Sequence, residues 1–135
     1  MKNQRGATAV EFAIVFPLLI LLMFGIIEFS VILYDKAMIT NASREGARAG
    51  IITRSPGRLT DAEIQAVVQY YCGLYLVSFK SGAAPVTTVA RTGSTFGSDL
   101  SVTVTYTYSF LALPQFVTGL VGPMNLTART VMKME

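Results

Sequence analysis

The chain has 135 residues, 52% of them apolar and 14% charged, with a formal charge of +3, a single cysteine and no histidine. That length supplies one domain, and a mean hydropathy of +0.51 exceeds what an ordinary soluble domain carries, so the excess must be concentrated in one segment. Nine basic and six acidic residues are scattered after position 34, which leaves no footprint for nucleic acid. Zinc, nucleophilic and phosphoryl chemistry have no evident residues either, so the composition points away from an enzyme, a cofactor or a small-molecule substrate.

The first segment is a short basic leader, with Lys2 and Arg5, ending at Gly6. Phe12 to Ile27 then carries no charge, and after Glu28 the apolar pattern resumes to Tyr34, giving a transmembrane stretch of about 23 residues at about 12–34. A secretory signal peptide has a shorter apolar stretch followed by a small-residue cleavage site, and this sequence has neither. Lys2 and Arg5 place the N-terminus in the cytoplasm and the C-terminal part outside, although Lys36, Arg44 and Arg48 beyond the span oppose that assignment. Pro17 removes a backbone hydrogen bond within the span, and Gly25 adds a second soft point, so the pair predicts a kink or local unwinding. An ionised carboxylate in hydrocarbon is expensive. Glu11 must therefore find a partner or stand in the headgroup zone, and Glu28 must lie at the exported interface or face another helix.

These residues carry a resemblance. Gly6, ATAV, Glu11 and an apolar helix look like the class III signal of type IV pilins and pseudopilins. More specifically, "RGATAVEFAIVFPLLILLMFGIIEFS", "ASREGARAG" and the terminal "LTARTVMKME" resemble the TadE/TadG-like proteins of Tad pili. The resemblance implies that a prepilin peptidase cuts between Gly6 and Ala7, leaving residues 1–6 as leader. It also implies that the new ammonium of Ala7 pairs with Glu11, one helical turn on, within one chain or between neighbours. Such a pair would set register more than stability, because desolvation offsets the attraction. Two departures bear on this: Ala7 stands where classical pilins have phenylalanine, which puts N-methylation in doubt, and there is no cysteine pair, which fits the Tad branch.

Beyond the span the helical pattern continues to Gly50, with Met38, Ile39, Ala42, Gly46 and Ala49 on one face. Ala42, Gly46 and Gly50 form a small-residue stripe that lets another backbone approach, either the chain's own domain or a neighbour's helix. Arg44 and Arg48 make a basic ridge in which Glu45 can pair with Arg48, on a solvated face or at an intersubunit contact. Residues 51–135 read as an exported α+β domain. "TRSPGR" (53–58) is a turn. Thr60-Asp-Ala-Glu63 is a capping box opening a second helix that buries Ile64, Val67, Val68, Tyr71 and Tyr75. Gly73 is a possible C-cap, with LYLVSF (74–79) as a short strand. Strands follow at Val86–Arg91, at Leu100–Phe110 with Leu100, Val102, Val104, Tyr106, Tyr108 and Phe110 on one face, and at Leu126–Met134. The expected fold is a long N-terminal helix followed by one further helix and a three- to four-stranded antiparallel sheet, a truncated pilin-like α+β arrangement. The apolar connection at 111–124 is a contact surface or a flap over the core. Cys72 cannot form an intramolecular disulfide; it is a buried apolar residue, an intermolecular bridge or a reactive thiol.

Two functions fit. One is a minor pilin or pseudopilin, cut after Gly6, that primes, caps or joins a Tad-type pilus; its partners would be the peptidase, other pilins, the assembly platform and the inner membrane. The other is an uncut single-pass scaffold of the assembly machine. A major pilin fits less well, because the exported domain is large for a Tad fibre subunit.

Overall fold

The computed structural model describes residues 2–53, 57–78, 84–110, 119 and 122–135, with side chains from Gly6 onward. Its elements are α1 (Lys2–Ile51), α2 (Asp61–Tyr75), β1 (Val86–Arg91), β2 (Asp99–Tyr108) and β3 (Met124–Lys133). This is the expected α+β arrangement, with three strands among the described residues, within the expected three to four. α1 has 50 residues and therefore extends for about 75 Å. It remains helical through Pro17 and Gly25.

The two parts of α1 live in different surroundings. From Gly6 to Ile27 large apolar side chains point outward, Phe12, Leu18 and Ile26 each more than 60% exposed. From Glu28 onward one face is covered by the domain, and Ile39, Ala42, Ala47 and Ala49 are buried. The uncovered part makes α1 long and apolar enough to cross a membrane.

α2 begins as the capping motif requires. The Glu63 N–H donates to Thr60 Oγ1 at 3.3 Å, and the Thr60 N–H donates to Glu63 Oε2 at 2.7 Å. The helix runs past Gly73 and ends with Leu76 as its C-cap, whose N–H bonds to the Cys72 carbonyl. The expected strand at 74–79 does not form among the described residues, Phe79 lying outside them. Leu74 and Tyr75 are helical, and the N–H of Val77 is taken by Asp35 Oδ1 at 2.9 Å, so this donor goes to α1 instead of a ladder. The buried face of α2 is also narrower than expected. Ile64, Val68 and Cys72 are buried at four-residue intervals, Val67 and Tyr71 are partly covered, and Tyr75 is exposed with its ring against Tyr71.

β2 is the central strand, antiparallel to β1 and β3. Its alternation holds: Leu100, Val102, Val104, Tyr106 and Tyr108 are buried against the helices, while threonines at 103, 105 and 107 face the other way. β2 starts one residue earlier than expected and ends at Tyr108, with Phe110 packed beyond it, edge-on to Tyr108. β3 starts at Met124, two residues early. Of the apolar connection at 111–124, residues 111–118, 120 and 121 lie outside the described residues, as do 54–56 of the preceding turn.

The sheet is ordered along α1 by a series of ties. Tyr108 meets Glu28, the Lys36 ammonium donates to the Thr127 carbonyl, and Ser43 bonds Thr130 at 2.7 Å. Gly50 lies against Leu100 and Ile64. The end of the domain nearest the bare helix is therefore the end of β2 and the start of β3, which are paired at Tyr108 and Met124.

Candidate functional site: the N-terminal helix and its junction with the domain

Gly6, Ala7 and Glu11 lie on the bare part of α1, all exposed, with Ala7 and Glu11 one turn apart. A Cβ built at Gly6 meets nothing within 4 Å, so the fold places no steric demand for glycine there. Gly25 is equally open. It leaves a notch on one side of the helix between Leu18, Leu22, Ile26 and Phe29.

The small-residue stripe is occupied by the chain's own domain. A Cβ at Gly46 would stand 2.5 Å from Val68 Cγ2, and one at Gly50 would stand 2.5 Å from Ile64 Cδ1 and 2.6 Å from Leu100 Cδ2. Neither position admits a side chain unless Val68, or Ile64 and Leu100, give way. Ala42 is fully buried in the same contact. Glu45 and Arg48 face away from it and form an ion pair, with two contacts of 2.5 and 3.0 Å. That pair holds the Glu45 carboxyl below its ordinary range and the Arg48 guanidinium above its own.

The junction holds residues whose role the sequence did not disclose. Glu28 is buried rather than standing at a watery interface, and it meets a strand of its own domain: Tyr108 Oη donates to its Oε1 at 2.7 Å. Asp35, two turns further along α1, is fully buried and accepts from the Val77 N–H, while its Oδ2 has no hydrogen-bond partner. Burial raises the Asp35 carboxyl above its ordinary value, against the opposing pull of the Val77 bond. Tyr106 and Tyr108 are both pushed up, first by burial; the hydrogen bond to Glu28 adds to the shift at Tyr108, and the charge of Asp35 to the shift at Tyr106. The signal for these burials is periodic. Positions 28, 32, 35, 39, 42, 46 and 49 are spaced four and three apart, so extending the stripe face toward the N-terminus places both acids on it.

Cys72 is buried, and desolvation pushes its thiol up to about 11, which disfavours the reactive thiolate. No group of three or more metal-ligating side chains converges among the described residues.

The part of α1 that carries Gly6, Glu11, Glu28 and Asp35 is also the part that a family model matches. Residues 6–48 match the family model described as TadE-like protein. The match supports a TadE-like protein. It ends inside the clad part of α1, so α2 and the sheet lie beyond it. No curated protein and no solved structure matches the chain. The TadE-like match and the apolar N-terminal helix together fit a component of a Tad pilus.

Proposed function

We propose that this chain is a minor pilin or pseudopilin of a Tad-type pilus, cut between Gly6 and Ala7 by a prepilin peptidase and inserted into the assembly through the bare part of α1. The observation that carries the reading is the coincidence of the TadE-like match with a helix that leaves the domain at Glu28 and continues uncovered to the glycine. A soluble domain does not expose so long an apolar surface without a partner for it. In this reading the inner membrane holds α1 from about Phe12 onward, the N-terminus is cytoplasmic, and the domain is outside. Glu11 then accepts the ammonium that cleavage creates on Ala7 of the same or a neighbouring chain. Other pilins and the assembly platform are the partners, and the domain acts as a binding module without catalysis.

Co-expression with a prepilin peptidase, followed by intact-mass measurement of the membrane form, tests it. The expected product starts at Ala7, and Gly6→Leu blocks its formation. Because a Cβ at Gly6 meets open space, a block by Gly6→Leu reports on the peptidase and not on folding. An unchanged Met1 terminus with the peptidase present would overturn the reading in favour of an uncut scaffold.

A further inference from the structure

The stretch of α1 that is free of both charge and domain is short. Phe12 to Ile27 is flanked by Glu11 and by Glu28, where the domain begins, and it rises about 24 Å, against a hydrocarbon thickness of about 30 Å. The missing length must come from one end or the other.

The surface at the Glu28 end is built for immersion. The carboxylate that would oppose it is folded inward onto Tyr108 and is only 2% exposed. The large apolar side chains at that level are left outside, among the exposed Ser30, Thr107 and Asn125: Phe29 is 62% exposed, Leu33 54% and Met124 39%, with Phe110 half-buried beside them. Two of the hydroxyls there are satisfied internally, Ser30 by the Ile26 carbonyl at 2.8 Å and Thr107 by Asn125 at 2.8 Å, which suits a medium without hydrogen-bond partners. The next basic group along α1 is Lys36, about 12 Å above Glu28, with its ammonium held at the Thr127 carbonyl.

We propose that the base of the domain, formed by Phe29, Leu33, Phe110 and Met124 around the buried Glu28, is seated in the boundary between lipid headgroups and acyl chains. This rests on the membrane-inserted reading of α1. The domain then does not stand off the bilayer on a stalk; lipid covers the apolar collar until the subunit leaves the membrane.

The chain contains no tryptophan, so single-tryptophan variants of the full chain in phosphatidylcholine and phosphatidylglycerol vesicles report one position each. Met124→Trp and Phe110→Trp sample the base. Leu19→Trp samples the bare helix, and Phe96→Trp, 84% exposed in the turn at the opposite end of the domain, samples water. With lipids brominated near the headgroup end of the acyl chain, Met124→Trp and Phe110→Trp are expected to lose emission to the same order as Leu19→Trp, and Phe96→Trp none. Quenching of Leu19→Trp while both base variants behave like Phe96→Trp would overturn the proposal and leave the membrane reading standing. Blue-shifted base emission that resists brominated lipid and depends on the protein-to-lipid ratio would also overturn it, by making a second copy the cover. Absence of quenching at Leu19→Trp would remove the membrane reading itself, and the proposal with it.

Discussion

One continuous helix, α1, is used in two opposite ways, and the change occurs at Glu28. Before it, leucine, isoleucine and phenylalanine project into open surroundings, and glycine at 6 or 25 has no packing role. After it one face is covered, from Ala42 on the buried positions are small, and the two glycines there sit against α2 and β2. The difference separates two kinds of helix surface. A helix embedded in its own domain needs close approach at fixed points, whereas one awaiting lipid or another helix presents bulk.

The sharpest way to break that contrast is to put the same large residue at both kinds of glycine. Gly50→Leu must displace Ile64 and Leu100, and Gly46→Leu must displace Val68, whose branched side chain has little freedom to move. Each is expected to destabilise the domain by about 3 kcal/mol. Gly25→Leu is expected to leave the domain's unfolding midpoint in denaturant unchanged, because no part of the domain reaches it. Equal midpoints for Gly25→Leu and Gly50→Leu would show that the clad part is not packed as described.

The junction provides a smaller perturbation on the clad side. Tyr108→Phe removes the hydroxyl that donates to Glu28 while keeping the ring in the core. Losing a hydrogen bond to a buried carboxylate costs about 2 kcal/mol. Removing the acid as well, in Glu28→Leu combined with Tyr108→Phe, is expected to cost less than the sum of the two single substitutions, since both remove the same contact. Thermal unfolding of the single and double variants measures both.

Much of this architecture was legible in the sequence because each element announced itself by a local rule. The capping box at Thr60 fixed the start of α2, and the alternation from Leu100 to Tyr108 fixed the inner face of β2. The small-residue spacing marked the clad face of α1. The acids of the junction were harder to place, because their burial depends on which strand crosses that face, and nothing local to position 28 or 35 specifies Tyr108 or Val77. The end of α2 stays open in the sequence for the same reason: Gly73 reads as a possible C-cap, yet the cap is Leu76, three residues later, where Asp35 captures the next backbone N–H. As for the candidate site, the motif at Gly6 and Glu11 is recognisable by sequence alone, and the fold adds only that both are exposed on a helix clear of the domain.

Asp35 gives the clad part a pH signature that the bare part has no reason to share. Burial raises its carboxyl above the ordinary 3.8 in the folded state. A carboxyl raised on folding favours the folded state where it is protonated, and that contribution is lost as pH rises through the raised value. Asp35→Asn keeps an acceptor for the Val77 N–H and cannot ionise. It is therefore expected to gain stability relative to the wild type at neutral pH, and the two should converge as pH falls toward 3.8. Denaturant midpoints of the pair across that window check the sign; a gap that widens on acidification would contradict the raised value.

The smallest expected effect on folding is at the Glu45 and Arg48 pair, which distinguishes a clad face from an outer one on the same helical turn. Both side chains are substantially exposed, so water and salt screen their attraction, and Arg48→Ala should leave the unfolding midpoint within error. Its position nonetheless gives it a second use. The stripe one face away is fully occupied by the domain, whereas the ridge of Arg44 and Arg48 on the same turns stays exposed and open to a neighbour. If that surface joins subunits, Arg48→Ala, and more strongly Arg48→Glu with its reversed charge beside Glu45, should reduce recovery of the chain in sheared pili while midpoint and membrane level stay unchanged. Loss of membrane level in step with pilus level would instead assign the ridge to the stability of the subunit.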